Sequence, residues 1–192
     1  MSVREITVVG NPILREPTRP VDPEELAGPE VQQLIDDLID TRRAANGAGI
    51  AANQIGSDLR VAIAEVDGVN PRYPYKPPIP RMVMVNPVIE PIGAEMVEIN
   101  EGCLSVPDLR GNVMRHVEVR IQYLDREGVE HDEVKRGLTA GTIQHEIDHL
   151  DGKLFLDRVT DTASLATWDE FERHQRDEFV ERITRFVERV GS

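Results

Sequence analysis

The residues of this chain with the clearest capacity for chemistry are His145, Glu146 and His149, in the run Gln144-His145-Glu146-Ile147-Asp148-His149-Leu150. On an α-helix, residues four apart share a face, so the two imidazoles can hold one metal ion together. Glu146, next to the first imidazole, can reach an attacking water and take its proton. The chemistry implied is metal-dependent hydrolysis. Leu138, Ile143, Ile147 and Leu150 flank the motif, which predicts a buried helix. A buried His-Glu-His cluster needs a partner for its polar groups, and a metal ion supplies one.

Two imidazoles leave a hydrolytic site one protein ligand short. Cys103, in Glu101-Gly102-Cys103-Leu104-Ser105, is the candidate third ligand. A lone cysteine is more often a small buried hydrophobe than a ligand, yet it is the only thiol and no other third ligand stands out. His116, His131 and His174 sit in polar contexts and read as solvated or otherwise satisfied. An oxyanion formed by attack on a carbonyl needs donors. Gln54, a polar amide closing the small-residue run Gly47-Ala48-Gly49-Ile50-Ala51-Ala52-Asn53, is the side-chain candidate.

The elements that must position these groups follow from patterning. The 192 residues favour one domain with a real core. The reading is α+β: short antiparallel or mixed β-sheets around a central HExxH helix, with an additional C-terminal helix. Residues 1–160 would form the catalytic body and 161–192 a helical extension of the same domain. An extended arm is expected over the first 22 residues. A helix follows from about Pro29, with Val31, Leu34, Ile35, Leu38 and Ile39 as its apolar stripe, stopping near Asn46-Gly47. Short strands are expected at about 60–65, 82–86, 88–92 and 95–99, a longer one over 113–124, and another over 129–134. A surface loop holding five prolines covers 67–81. The motif helix should start near Leu138, followed by an extended piece over 153–159, and a single last helix should span 164–190.

The formal net charge of −13 argues against broad binding to DNA, RNA or anionic membrane, each of which needs a basic face. One cysteine cannot form an internal disulfide. The first residues carry no long apolar run, and no stretch approaches 18 consecutive apolar residues, so a cytoplasmic protein with no membrane span is expected.

Taken together, Gly47–Gln54, Glu101–Ser105 and Gln144–His149 resemble, in that order, three segments of the peptide deformylase family. The likeness runs from about Ile6 to Val159 and includes Leu154-Phe155-Leu156-Asp157-Arg158. The resemblance implies that Cys103, His145 and His149 hold one divalent metal, natively iron(II), with zinc, nickel or cobalt able to substitute. It implies Glu146 as general base and acid, and the Gln54 amide with the Leu104 backbone N–H as donors to the formyl oxyanion. The substrate would be N-formylmethionine at the start of a nascent peptide, held as an added strand by backbone groups near Ala48, Gly49 and Gly102. Ile99 and Leu138 match the methionine pocket, and Arg110 an arginine near the substrate mouth. Gly141 stands where many relatives carry a larger apolar residue, which suggests a roomier pocket. Met114-Arg115 replaces a common Pro-Arg pair.

Some relatives dock on the ribosome through a basic C-terminal helix. Here residues 161–192 hold five arginines against eight acids, so packing on the body is the favoured role and a weak or transient ribosome contact the lesser one. An HExxH zinc endopeptidase would leave Cys103 and Gln54 unexplained. A relative that only binds formylated peptides would not need every chemical residue to be present.

Overall fold

The computed structural model describes residues 2–68 and 75–191. Helix α1 (Pro23–Leu26) leads into α2 (Pro29–Ala44), whose end is marked by Asn46 in the left-handed region at φ 52°. Seven strands follow: β1 (Gly49–Ala51), β2 (Val61–Val66), β3 (Ile79–Pro91), β4 (Met96–Cys103), β5 (Val106–His116), β6 (Glu118–Leu124) and β7 (Glu130–Arg136). Helix α3 (Gly137–Leu150) carries the motif, and α4 (Trp168–His174) and α5 (Arg176–Val190) close the chain. The strands make a five-stranded antiparallel sheet, β1-β2-β3-β6-β7, and a separate β4-β5 hairpin. The fold is mixed α+β with small antiparallel sheets.

Strand β2 reads Val-Ala-Ile-Ala-Glu-Val and is buried along its whole length because both faces of its sheet are covered. Val61, Ile63, Val83 and Val85 meet the α2 stripe of Val31, Ile35, Leu38 and Ile39. On the opposite face Ala62, Ala64, Met82 and Met84 meet Ile143, Ile147 and Leu150 of α3. Alternation along a strand sends neighbouring side chains to opposite faces. The small alanines let α3 lie close to the sheet. The other side of α3 is closed by β4 and β5 and by α5, where Leu138 joins Ile99, Phe171, Phe179, Ile183 and Phe186. The motif helix is therefore enclosed between two sheets.

Several local expectations change. The extended arm contains a 3₁₀ turn at Pro12–Arg15, capped by the Asn11 side chain, and α1 follows the arm. The two strands expected at 82–92 are one, β3, whose ladder shifts register between Val85 and Val88 around Asn86, also left-handed at φ 52°. The single strand expected at 113–124 is two. Val117 leaves the hairpin, and its alternation continues unbroken into the other sheet. Residues 155–158 form a 3₁₀ turn closed by the Asp157 carboxylate, which accepts from the Leu154 N–H at 2.8 Å. The last helix breaks at Gln175. Phe171 and Phe179 would lie about 12 Å apart along a straight helix, and the break lets their rings meet at 5.8 Å. Residues 69–74 of the proline-rich loop lie outside the described residues.

Candidate metal centre

Helix α3 presents His145 and His149 side by side, with ring centroids 5.0 Å apart. The β4–β5 turn brings Cys103 to them, with its Sγ 3.2 Å from His149 Nε2. Among the described residues these three can each offer a ligand atom, all within 4.8 Å of one another. Glu146 is buried on the same helix, and its Oε2 has no hydrogen-bond partner. Gly49 lies against this carboxylate so closely that a Cβ there would collide with it.

Each group is held from behind. His145 Nδ1 lies 2.8 Å from Glu101 Oε2, which leaves Nε2 to face the site. Arg115 donates to both oxygens of the same carboxylate at 2.8 and 2.9 Å and to Asp148 Oδ2 at 2.5 Å. Arg158 also donates to Asp148, at 2.6 Å. Glu101, Arg115, Asp148 and Arg158 thus form a largely buried charge chain that fixes the ring of His145 through Glu101, and orientation of this kind tunes a metal ligand. On α3 the His149 carbonyl accepts from Asn53 Nδ2 at 2.6 Å, tying the helix to the 52–55 turn. That turn aims Gln54. Its Oε1 accepts from the Ala51 N–H at 2.8 Å, so its amide NH₂ points to Ser105 Oγ at 3.0 Å and Cys103 Sγ at 3.6 Å. Arg42, buried against Glu65, donates to the Gly47 carbonyl at 2.8 Å and so braces the Gly47–Gly49 segment.

The electrostatics suit a cation. Burial would push the Cys103 thiol up, but the charge and hydrogen bonds of His149 and His145 outweigh it and bring its pKa to about 5, so the sulfur is a thiolate. Burial would likewise lower His145, yet Cys103 and Glu101 hold it well above its ordinary value. Thiolate plus two imidazoles is a ligand set for a transition metal. Burial raises Glu146 to about 7, against the lowering pull of His145 and His149. That is a suitable poise for a group that takes a proton and returns it.

A cavity of about 50 Å³ opens beside the cluster. Ala48, Gly49, Gln54, Ile99, Gly102, Leu104 and Leu138 all line it, together with Cys103, His145 and Glu146. Arg110 is the exception among the expected site residues. It is 0 % exposed, bonded to Asn100 and stacked under Trp168 at 3.9 Å and Phe171 at 4.4 Å, so it braces the hairpin from inside and does not stand at the mouth. Gly141, from which a roomier pocket is expected, lines the cavity beside Ile99. A Cβ at Gly141 would fall 2.7 Å from Ile99 Cδ1, so Ile99 already occupies that space. Sequence reasoning missed Lys76 and Thr142, which line the cavity as well. Lysine in a proline-rich loop carries no local signal that it lines a cavity.

The family model for polypeptide deformylase matches residues 3–164. The chain belongs to the polypeptide deformylase family. It is a metalloenzyme by family, a hydrolase that removes the N-formyl group from nascent peptides. It is 46% identical over 172 residues to peptide deformylase 1 of Prochlorococcus marinus, covering 90% of this chain and 88% of that protein. Identity to the peptide deformylase of Leptospira biflexa is 41% over 162 residues, covering 84% and 90%. Among solved structures, the class I type b peptide deformylase of Acinetobacter baumannii with Met-Ala-Ser bound superposes with a TM-score of 0.79 at 41% identity, covering 82% of this chain and 99% of that one. The actinonin complex of the Synechococcus elongatus peptide deformylase gives 0.73 at 32% identity, covering 84% and 81%.

Proposed function

We propose that this deformylase acts through Cys103, His145 and His149 as the ligands of one divalent metal, with Glu146 as the group that moves the proton. The observation that carries the reading is the convergence of a thiolate and two imidazoles within 4.8 Å, beside a buried carboxylate with an unpartnered oxygen. The bound metal would supply a Lewis acid and a water of lowered pKa. Glu146 takes the proton from the attacking water and delivers it to the leaving amine. The Gln54 NH₂, aimed by the Ala51 N–H, and the Leu104 N–H in the turn after Cys103 are the donors for the formyl oxygen as charge builds on it. β1 is an edge strand of its sheet, so its backbone around Ala48 and Gly49, with Gly102 opposite, can take the peptide as one more strand. Ile99 and Leu138 line the pocket for the first side chain.

The metal we assign is iron(II), with zinc, nickel or cobalt as substitutes, on the strength of the thiolate ligand and the family. Residues 1–160 act as the catalytic body and 161–192 as its helical extension. No helix among the described residues is long and apolar enough to cross a membrane. We assign the enzyme to the cytoplasm, where nascent chains are made, with no ribosome contact required for its chemistry.

The test is formate release from formyl-Met-Ala-Ser by protein purified without oxygen, beside Glu146→Ala. Release that is lost in the variant supports the reading. An endopeptidase would instead cut an internal bond of an unformylated peptide, and a binding protein would hold the formyl peptide without releasing formate.

A further inference from the structure

One wall of the side-chain pocket is a lysine. Lys76, from the stretch leading into β3, lines it together with Ile99, Leu138, Gly141 and Thr142. Its Nζ donates to Thr142 Oγ1 at 2.9 Å, and the same hydroxyl donates to the Leu138 carbonyl at 3.0 Å. The ammonium is also drawn inward by the charges of Glu101 and Glu146. Two features hold the lysine there. Pro77 and Pro78 follow it and restrict the backbone. Tyr75 precedes it and packs edge-on against Phe179 of α5, with centroids 5.1 Å apart and planes at 85°. A lysine stem is an unbranched aliphatic chain, like the methionine side chain this pocket is meant to receive.

We infer that Lys76 is a latch on the side-chain pocket: in the free enzyme its ammonium holds Thr142 across the pocket, and the first side chain of the formylated peptide displaces it. The inference rests on the deformylase reading for the identity of the displacing group. The latch makes the binding-competent state a fraction of the free enzyme, and apparent affinity falls by that fraction. Lys76 is therefore a determinant of KM, set by this chain's own loop and tied through Tyr75 to its C-terminal helix.

Two measurements on the metal-loaded, full-length protein test it. The first is steady-state deformylation of formyl-Met-Ala-Ser by wild type and Lys76→Ala. Loss of one charged hydrogen bond that competes with substrate should lower KM by roughly three- to tenfold, with the change carried by KM rather than kcat. An unchanged or higher KM would overturn the latch. So would a loss confined to kcat, which would assign Lys76 to supporting the charge of Glu146. The second needs no turnover. The chain has three lysines, Lys76, Lys135 and Lys153, so an amine-reactive reagent followed by peptide mapping reports each. Lys76 should label far more slowly than exposed Lys153, although burial has pushed its pKa down to about 8, and should speed up in Thr142→Val and when Met-Ala-Ser is added. Labelling of Lys76 as fast as Lys153 in the ligand-free enzyme would overturn the proposal. If wild type releases no formate, the deformylase reading fails, while labelling of the ligand-free protein still decides whether the latch exists.

Discussion

Glu146 has one oxygen without a partner, a carboxyl raised by burial to about 7, and a glycine packed against it where no other residue fits. A base must be ionised to accept a proton, so activity should rise with pH as Glu146 ionises. A dication in the Cys103, His145 and His149 site favours the carboxylate further. The acid limb of kcat/KM should therefore fall at or below about pH 7. Glu146→Gln should lose at least about a hundredfold in kcat while keeping its metal, as metal analysis beside formate release would check. An acid limb well above 7 would contradict the assignment. Glu101 acts one step back. Burial opposes its charge, but Arg115 and His145 outweigh burial and hold it far below the usual carboxylate range, and Arg158 and Arg115 lower Asp148 in the same way. Groups depressed in the folded state contribute stability that is present above their unfolded pKa of about 4 and lost as pH falls through the folded values. Glu101→Gln should flatten that acid loss in a denaturation series. It should also weaken metal retention about 10- to 100-fold, read by competition with a chelator.

At the scale of elements, α3 and the β4–β5 hairpin set the pocket between them, and Gly141 is where they touch. The nearest atom to a Cβ at Gly141 is the far end of Ile99, at 2.7 Å. Gly141→Ala should push Ile99 into the cavity and raise KM several-fold, and Ile99→Val, which removes the Cδ1, should restore it in the double variant. Equal KM values in the single and double variants would show that the helix and hairpin simply move apart. The comparison also shows where patterning stops. Residues of a single helix or turn were legible: His145, Glu146 and His149 from their spacing, and Gln54 from the small residues before it. What lies between elements was not. Alternation through Val117 is the same whether one strand continues or the chain changes sheets. The space at Gly141 depends on a residue forty-two positions away, and nothing local to Arg110 says that Trp168 will cover it. Glu101 stood in a recognised segment, but its role needed Arg115 and His145 beside it.

The whole molecule carries a net charge of −13, and its C-terminal helices do not offset that. On α5 the three arginines of the last turns are paired with acids: Arg182 with Glu98 at 3.3 Å, Arg189 with Glu95 at 2.8 Å, and Arg185 with Glu181. Two of these pairs reach the β4 region, so they join the helix to the body. Beside these arginines the helix buries Phe179, Ile183 and Phe186 against Ile99, Val117 and Leu138, with Phe171 of α4 next to them, and Arg182 and Arg189 lie over the Phe179 and Phe186 rings. A helix that keeps its aromatics on the pocket walls and its arginines on acids is a wall of the catalytic body more than a handle for RNA. Removing residues 164–192 should therefore strip the backing from Ile99 and Leu138 and uncover Arg110. Each large buried side chain in such a core accounts for about 3–5 kcal/mol when truncated, so Phe179→Ala alone should lower the thermal midpoint measurably, and the truncation should not yield a stably folded enzyme. If the truncated chain instead kept its fold and its deformylation rate and lost only co-sedimentation with ribosomes, α5 would be a docking element after all, and its contacts with the hairpin incidental to stability.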